Sequence, residues 1–296
     1  MSTFVHSCAV ADRALRLRVI EGVSVEVETM KTLPLPTIQM FWHGAPLSRI
    51  ERLSIASFLY HGHSVDLYVY EEPDGVPVGA RILDAERVLP RSAVFEHRRT
   101  QSLAPFADWF RYKLLFERGG IWADADVVCL RPLDFPSPWI YAWQDDRYIN
   151  NAVLGLPAGD TMAGWLASCC ENPNRVLPYD GLEIRFRKLR RRILRGNRRD
   201  AVRWGETGPK GLTRAVGHFG YIRRALPSWH FYPVPLQKHM TLFEAQRDAD
   251  GVELSGSHAV HLWNQLLKER PGFDKNARFP ESSPFERLCA CYLAEA

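Results

Sequence analysis

Apolar residues in the first part of the chain recur with the spacing of a strand, then a helix, then a second strand. Residues 37–42 (TIQMFW) form a short apolar run, residues 47–60 have helical spacing, and residues 65–70 (VDLYVY) alternate as a strand does. Parallel strands need such a crossover, and it is right-handed in almost all proteins. The pattern therefore predicts the start of an α/β fold with a parallel sheet.

The same reasoning predicts the elements that follow. Residues 103–118 carry apolar side chains at helical spacing, and Gly119-Gly120 ends that helix. We expect a strand over residues 121–130, directly after the two glycines. The other predicted elements are strands at 139–143, 152–156 and 255–263, a helix at 162–170 and a glycine-rich loop at 205–211.

Two prolines near residue 35 mark the expected start of the folded domain. Residues 23–27 (VSVEV) alternate as an edge strand does, so we expect residues 1–33 to form an N-terminal extension. Residues 34–296 are enough for a single α/β domain with a sizeable core. Within it we expect two halves, over about residues 34–150 and about residues 151–296.

Composition excludes general disorder and gives no sign of a membrane span. Hydrophobic residues make up 46% of the chain and charged residues 24%, as in ordinary globular proteins. No run reaches the roughly 18 apolar residues that span a bilayer, and the N-terminus does not resemble a signal peptide. The six cysteines include no pair with the two-residue gap of a zinc or redox site. We therefore expect a cytoplasmic protein with reduced thiols.

The net charge of +4 hides a strongly basic segment between Arg185 and Arg203. Ten cations and one anion lie within it, so the rest of the chain is acidic on balance. Apolar residues at positions 182, 186, 189 and 193 have helical spacing, which predicts an amphipathic cationic helix. Such a helix can lie on the inner face of an anionic membrane, or simply be solvated. Nucleic acid is a weaker alternative, since no accompanying motif supports it.

Asp124-Ala125-Asp126 is the first candidate for chemistry. In an extended chain, period-two spacing would point both carboxylates to one side, and the small Ala125 would let a ligand approach. Neighbouring carboxylates repel unless a cation or proton intervenes, and oxygen ligands suit Mg²⁺ or Mn²⁺ shared with substrate phosphates. The tripeptide alone is common, however, and a solvated turn is the ordinary alternative.

The residues around this tripeptide make it more specific. Asp108-Trp109-Phe110-Arg111-Tyr112 and Gly119-Gly120-Ile121-Trp122 precede it, and Arg131-Pro132-Leu133 follows. This order resembles the DXD-containing sugar-transferase family, with capsular polysaccharide transferases, α-1,4-galactosyltransferases and initiating mannosyltransferases, and distantly the glucosylating domains of clostridial toxins. Trp122 stands where the family pattern usually has tyrosine. Weaker similarities lie at residues 35–44, 207–213 and 258–263.

The resemblance implies a glycosyltransferase A-type α/β fold, with a twisted, mostly parallel sheet flanked by helices. In such a fold, residues 34–150 would form the donor half and residues 151–296 the acceptor-side half. The resemblance also implies a retaining, metal-dependent transfer of a sugar from a UDP- or GDP-linked donor to a hydroxyl acceptor, such as a glycan or lipid-linked saccharide. Mn²⁺ or Mg²⁺ would be the cofactor, and no nucleic-acid partner is expected. Two alternatives stay open: a toxin-like effector that glycosylates a protein, and a non-catalytic carbohydrate- or nucleotide-binding relative.

The implied metal ligands are Asp126, Asp124 and a histidine. Asp124 is also a candidate contact to the donor ribose. The resemblance places His261 next to the metal, and neutral imidazole is an accepted ligand of Mn²⁺. His258 is the competing choice, and a histidine in a strand is often only a packed core residue.

The remaining candidates would hold the donor. Asp108 and Arg111 share one helix face, so they form either a local ion pair or, as the resemblance implies, a catalytic pair that grips hydroxyls of the donor sugar. Trp42 ends the first predicted strand and either stacks on the nucleobase or packs in the core. Asn150 and Asn151 resemble the family's asparagine near the transferred sugar, although asparagine is also a common turn residue.

Overall fold

The computed structural model describes residues 34–246 and 252–293. The predicted extension over residues 1–33, with its edge strand, lies outside them. The strands are β1 (Ile38–Trp42), β2 (Val65–Val69), β3 (Arg81–Asp84), β4 (Gly120–Ala123), β5 (Val127–Cys129), β6 (Ile140–Trp143), β7 (Ile149–Leu156) and β8 (Ala259–His261). The α-helices are α1 (Arg49–Tyr60), α2 (Ala104–Arg118), α3 (Thr161–Glu171), α4 (Leu182–Arg195), α5 (Pro209–His218), α6 (Asn264–Glu269) and α7 (Pro284–Tyr292).

Six strands form the main sheet, in the order β3-β2-β1-β4-β7-β6. The pairs β1–β2, β2–β3 and β1–β4 are parallel, whereas β7 runs antiparallel to both β4 and β6. Helices cover both faces of this sheet, because successive side chains of a strand point to opposite sides. In β1, Ile38 and Met40 pack with residues of α1, and Phe41 packs with residues of α2 and α3. The predicted α/β fold, with a mostly parallel sheet flanked by helices, is confirmed.

Local signals explain where the first helix and the motif-bearing segment begin. Ser48 caps α1: its hydroxyl accepts from the backbone N–H of Ile50, while the Glu51 carboxylate accepts from the N–H of Ser48 (2.9 Å). Gly119 follows α2 with a φ of +65°, and a Cβ there would lie 2.4 Å from the backbone nitrogen of Ala158. Only glycine fits this position, so the chain reverses there directly into β4.

The single strand predicted over residues 121–130 is wrong, because the chain turns in its middle. Strand β4 ends at Ala123, and the N–H of Val127 donates to the carbonyl of Asp124 (3.0 Å). Strand β5 then leaves the main sheet and pairs antiparallel with β8. The two motif carboxylates therefore lie on a turn between two sheets, and the alternation of an extended chain does not apply to them.

Three other predictions need correction. The strand predicted at 152–156 begins at Ile149, so Asn150 and Asn151 lie buried inside β7 and are not turn residues before it. The strand predicted at 255–263 is reduced to the three residues of β8, outside the main sheet. Helix α5 begins inside the predicted loop at 205–211, with Pro209 at its first turn, where a missing N–H costs nothing.

Within the described part of the chain, no helix is both long and apolar enough to cross a bilayer.

Candidate active site

The candidate site lies where β4 ends, beside the short β5–β8 sheet. Ligand atoms of Asp124, Asp126 and His261 lie within 4.8 Å of one another. Pairing of Val127 with His261 across β5 and β8 brings the histidine there, and its Nε2 lies 3.2 Å from Oδ2 of Asp126. The buried Nδ1 of His261 has no hydrogen-bond partner among the residues that the structure describes. Two carboxylates and an imidazole with a spare ring nitrogen fit a divalent cation.

The backbone after β8 supports this cluster in a way that the sequence did not indicate. Trp263 has a φ of +57°, in the left-handed region that side chains other than glycine rarely adopt. This turn directs the N–H of Asn264 at Oδ2 of Asp126, at 2.7 Å. Strained backbone of this kind is common where a site must be held in one geometry.

His258, the competing ligand candidate, lies apart from the carboxylate pair. Its Nδ1 is 3.1 Å from Nδ1 of His230, and its ring centroid is 4.8 Å from that of Phe135. Burial, with the nearby Arg131, lowers the pKa of His258. Among the described residues, the structure therefore groups His261 with the motif carboxylates, and His258 with a separate aromatic cluster.

The two carboxylates differ in their electrostatic surroundings. Burial raises the pKa of Asp124 to about 6, with a further contribution from the charge of Asp126 and against the opposing charge of Arg111. Burial alone would raise the pKa of Asp126 as well, but the neighbouring His261 and the N–H of Asn264 hold it below its usual value. The site thus disfavours two negative charges side by side, as expected where a cation is to compensate them.

Arg111 makes its shortest contacts with Asp124 and Asn151. Its ion pair with Asp108, which the sequence spacing suggested, is longer. Its guanidinium donates to Oδ1 of Asp124 (2.6 Å) and to the carbonyl of Asn151 (2.5 Å). It also lies over the Trp122 ring, 4.8 Å from the centroid, and the indole N–H donates to the same oxygen of Asp124 (2.7 Å). The nearest contact from Arg111 to Asp108 is longer, at 3.8 Å.

Asp108 instead belongs to a buried network with Asn151 and Thr207. Its carboxylate accepts from Nδ2 of Asn151 (2.7 Å) and from the hydroxyl of Thr207 (2.8 Å), and burial raises its pKa. The phenol of Tyr112 donates to the carbonyl of Thr207 (2.9 Å). Thr207 lies in one of the weaker similarities, but nothing in its spacing indicated this contact. Asn150 donates to Oε1 of Gln144 (2.7 Å).

Two cavities meet at the carboxylate pair, and both are lined by Arg111, Asp124 and Asp126. The first, about 360 Å³, is also lined by the remaining predicted residues Asp108, Asn150, Asn151 and His261. The second, about 560 Å³, is lined by Trp42, whose indole N–H donates to the carbonyl of Ala45 (2.8 Å) and whose ring lies 5.5 Å from the Lys275 ammonium. Trp42 is half-buried: it packs against the core and also lines this cavity. All the predicted site residues except His258 therefore line one continuous region.

Two protein-family models match the chain on either side of this site. Residues 61–146 match a glycosyltransferase sugar-binding region containing the DXD motif, and residues 200–290 match an α-1,4-glycosyltransferase conserved region. Over these two regions the chain is similar to the DXD-containing glycosyltransferases. The first matched region contains Asp108, Arg111, Asp124 and Asp126, and the second contains His261.

Two relatives match the chain at low sequence identity. The chain is 21% identical over 208 residues to a human α-1,4-N-acetylglucosaminyltransferase, covering 63% of this chain and 52% of that protein. It is 27% identical over 183 residues to the rat lactosylceramide 4-α-galactosyltransferase, covering 57% and 44%. The chain thus spans about half the length of these relatives. A solved structure, the PaToxG glycosyltransferase, matches with 14% identity, coverage of 63% and 70%, and a TM-score of 0.39, too low to carry an argument.

Proposed function

We propose that this protein is a metal-dependent, retaining glycosyltransferase that moves a sugar from a UDP- or GDP-linked donor to a hydroxyl acceptor. The observation that carries the proposal is the grouping of Asp124, Asp126 and His261 at the junction of two cavities. A diphosphate bridging those cavities would bring its negative charge to this point. Mn²⁺ or Mg²⁺ bound there would stabilise the charge that develops on the leaving diphosphate.

The chain's own residues would hold the donor from two sides. Trp42 offers its ring to a base in the larger cavity, where Lys275 adds a positive charge. Asp108 is an acceptor for sugar hydroxyls in the smaller cavity, and Asn150 and Asn151 offer amides beside it. Arg111 would hold Asp124 in place. It also lines both cavities and would donate to the sugar, so it is our main candidate for orienting the donor.

The names of the relatives support an α-1,4 linkage in the product. Both curated relatives are 4-α-transferases by name, and the second matched region is common to α-1,4-glycosyltransferases. We propose a saccharide hydroxyl as the acceptor, on a glycan or a lipid-linked saccharide. Retention of configuration follows from the family resemblance, and placement at the cytoplasmic face of a membrane stays a prediction.

The test is hydrolysis of a panel of UDP- and GDP-sugars without acceptor, with Mn²⁺, with Mg²⁺ and with chelator. We expect turnover of at least one donor that depends on the metal. Loss of a ligand in Asp126→Asn should lower this turnover by at least about a hundredfold, since metal stabilisation of the leaving group contributes several kcal/mol.

Asp74→Asn is the matched control, because Asp74 is exposed and lies outside both cavities. It should hydrolyse the donor as the wild type does. No turnover of any donor, together with no thermal shift from nucleotide and Mn²⁺, would refute the enzyme and favour a non-catalytic carbohydrate-binding protein. Turnover unchanged in Asp126→Asn would refute the metal site alone.

A further inference from the structure

Helix α4, which holds the first part of the basic segment, turns Lys188 and Arg191 toward the protein. Lys188 is buried, and its ammonium lies 2.7 Å from Oδ2 of the fully buried Asp180. Arg191 forms a two-point ion pair with Glu206, with both N–O distances 2.9 Å. Burial alone would raise the pKa of Glu206, but Arg191 more than offsets this and holds it below its usual value. Ion pairs therefore attach this helix to the domain.

The opposite side of α4 is apolar and faces solvent. Leu182, Phe186, Leu189 and Ile193 follow one another at intervals of four, three and four residues, which places them on one stripe. Their exposed fractions are 83%, 71%, 51% and 72%. Surface helices of globular proteins ordinarily bury their apolar stripe and expose their charges. Helix α4 instead leaves its apolar stripe exposed and buries Lys188, so a merely solvated surface helix does not explain it.

Arginines border this stripe on both sides. At 100° per residue, Arg185 and Arg192 lie along one edge of it and Arg190 along the other. Arg190 and Arg192 are exposed, and neither has a carboxylate partner in the part of the chain that the structure describes. An apolar stripe between uncompensated cations is the arrangement of helices that lie in the interface of anionic membranes.

We propose that α4 is a membrane-docking surface, in which the apolar stripe enters an anionic lipid leaflet and the bordering arginines bind lipid phosphates. A second copy of the chain fits this surface poorly, because two such faces would bring like charges together. Nucleic acid would satisfy the arginines but would leave the apolar stripe in water. An anionic lipid surface matches both features.

The experiment is co-sedimentation of the full chain with vesicles of phosphatidylcholine, alone or mixed with phosphatidylglycerol. We expect binding to the mixed vesicles that weakens with added salt, and little binding to the neutral ones. Arg190→Gln with Arg192→Gln should weaken binding about thirtyfold, because each cation near an anionic surface contributes about fivefold. Phe186→Ser with Ile193→Ser should weaken it at least about tenfold, since both side chains would lose burial in lipid.

Matched controls separate the site from general charge and hydrophobicity. Arg87→Gln with Arg223→Gln removes the same charge from exposed positions elsewhere, and Val78→Ser removes an apolar side chain that is fully exposed. Both should bind as the wild type does, and every variant should keep the wild-type melting temperature, because all the changed residues are exposed. The assay needs no donor or turnover, so its outcome is independent of the proposed function.

Equal binding to both kinds of vesicle, or equal weakening by the control variants, would overturn the proposal. So would light scattering that shows a dimer in the wild type and a monomer in Phe186→Ser with Ile193→Ser, because the stripe would then contact a second copy.

Discussion

Replacing Arg111 by alanine tests how much of the candidate site depends on one buried guanidinium. The side chain is 4% exposed and bonds both to the Asp124 carboxylate and to the carbonyl of Asn151. Removing one partner of a buried ion pair costs about 3–5 kcal/mol of the free energy of unfolding. Asp124 keeps 28% exposure and the N–H of Trp122, so water and the indole compensate part of the loss. We therefore expect a loss of about 3 kcal/mol, the lower end of that range.

Urea unfolding followed by circular dichroism measures this loss, and donor hydrolysis measures the effect on activity. Lys113→Ala is the matched control, because Lys113 is a cation on the same helix that pairs with Glu117 at the surface (2.7 Å). Its pair is partly exposed and should contribute only about 0.3–0.5 kcal/mol. Arg111→Lys keeps the positive charge but loses the two-point donation of the guanidinium. Its stability should therefore lie between that of Arg111→Ala and that of Lys113→Ala. If Arg111→Ala and Lys113→Ala destabilise equally, the guanidinium does not hold Asp124 as described.

Two further predictions concern stability. Gly119→Ala should lose about 2–5 kcal/mol in urea unfolding, because positive φ adds strain and the new Cβ meets backbone. Gly159→Ala has a similar φ but no atom within 4 Å, so it should lose only about 1–2 kcal/mol; equal losses would contradict the clash. His63 is held neutral, since the N–H of Leu133 donates to its Nε2 (2.9 Å), and burial lowers its pKa below that of the unfolded chain. The unfolded chain then binds more protons than the folded one, so the free energy of unfolding should fall as the pH drops below about 6.5. The fall should be less steep in His63→Gln, and equal slopes in the wild type and this variant would refute the prediction.

Much of the fold could be predicted from local pattern. The elements β1, α1, β2 and α2 lie within two residues of their predicted bounds, because amphipathic spacing and capping residues act over a few positions. Strand β3 was missed, since its four residues at the sheet edge are exposed or half-buried and carry no clear alternation. Helix α5 was missed because glycines hid its start.

The sequence predicted which residues belong to the candidate site, but not how they are arranged. The motif and its neighbours named Asp108, Arg111, Asp124 and Asp126, but the sequence left the choice between His258 and His261 open. Pairing of β5 with β8 brings His261, and not His258, to the motif carboxylates, and those strands lie more than a hundred residues apart in the chain. The turn at the motif and the left-handed Trp263 adjoin these two strands.

The sequence by itself therefore determined the family resemblance, the acidic motif and the amphipathic character of α4, because each depends on residues close together in the chain. Only the tertiary structure decided which atoms meet and which surfaces face water. Local periodicity says that α4 has an apolar and a charged side, but the partners Asp180 and Glu206 lie outside the helix. Ion pairs with these two carboxylates hold Lys188 and Arg191 against the domain. The apolar stripe lies on the opposite side of the helix and therefore faces solvent.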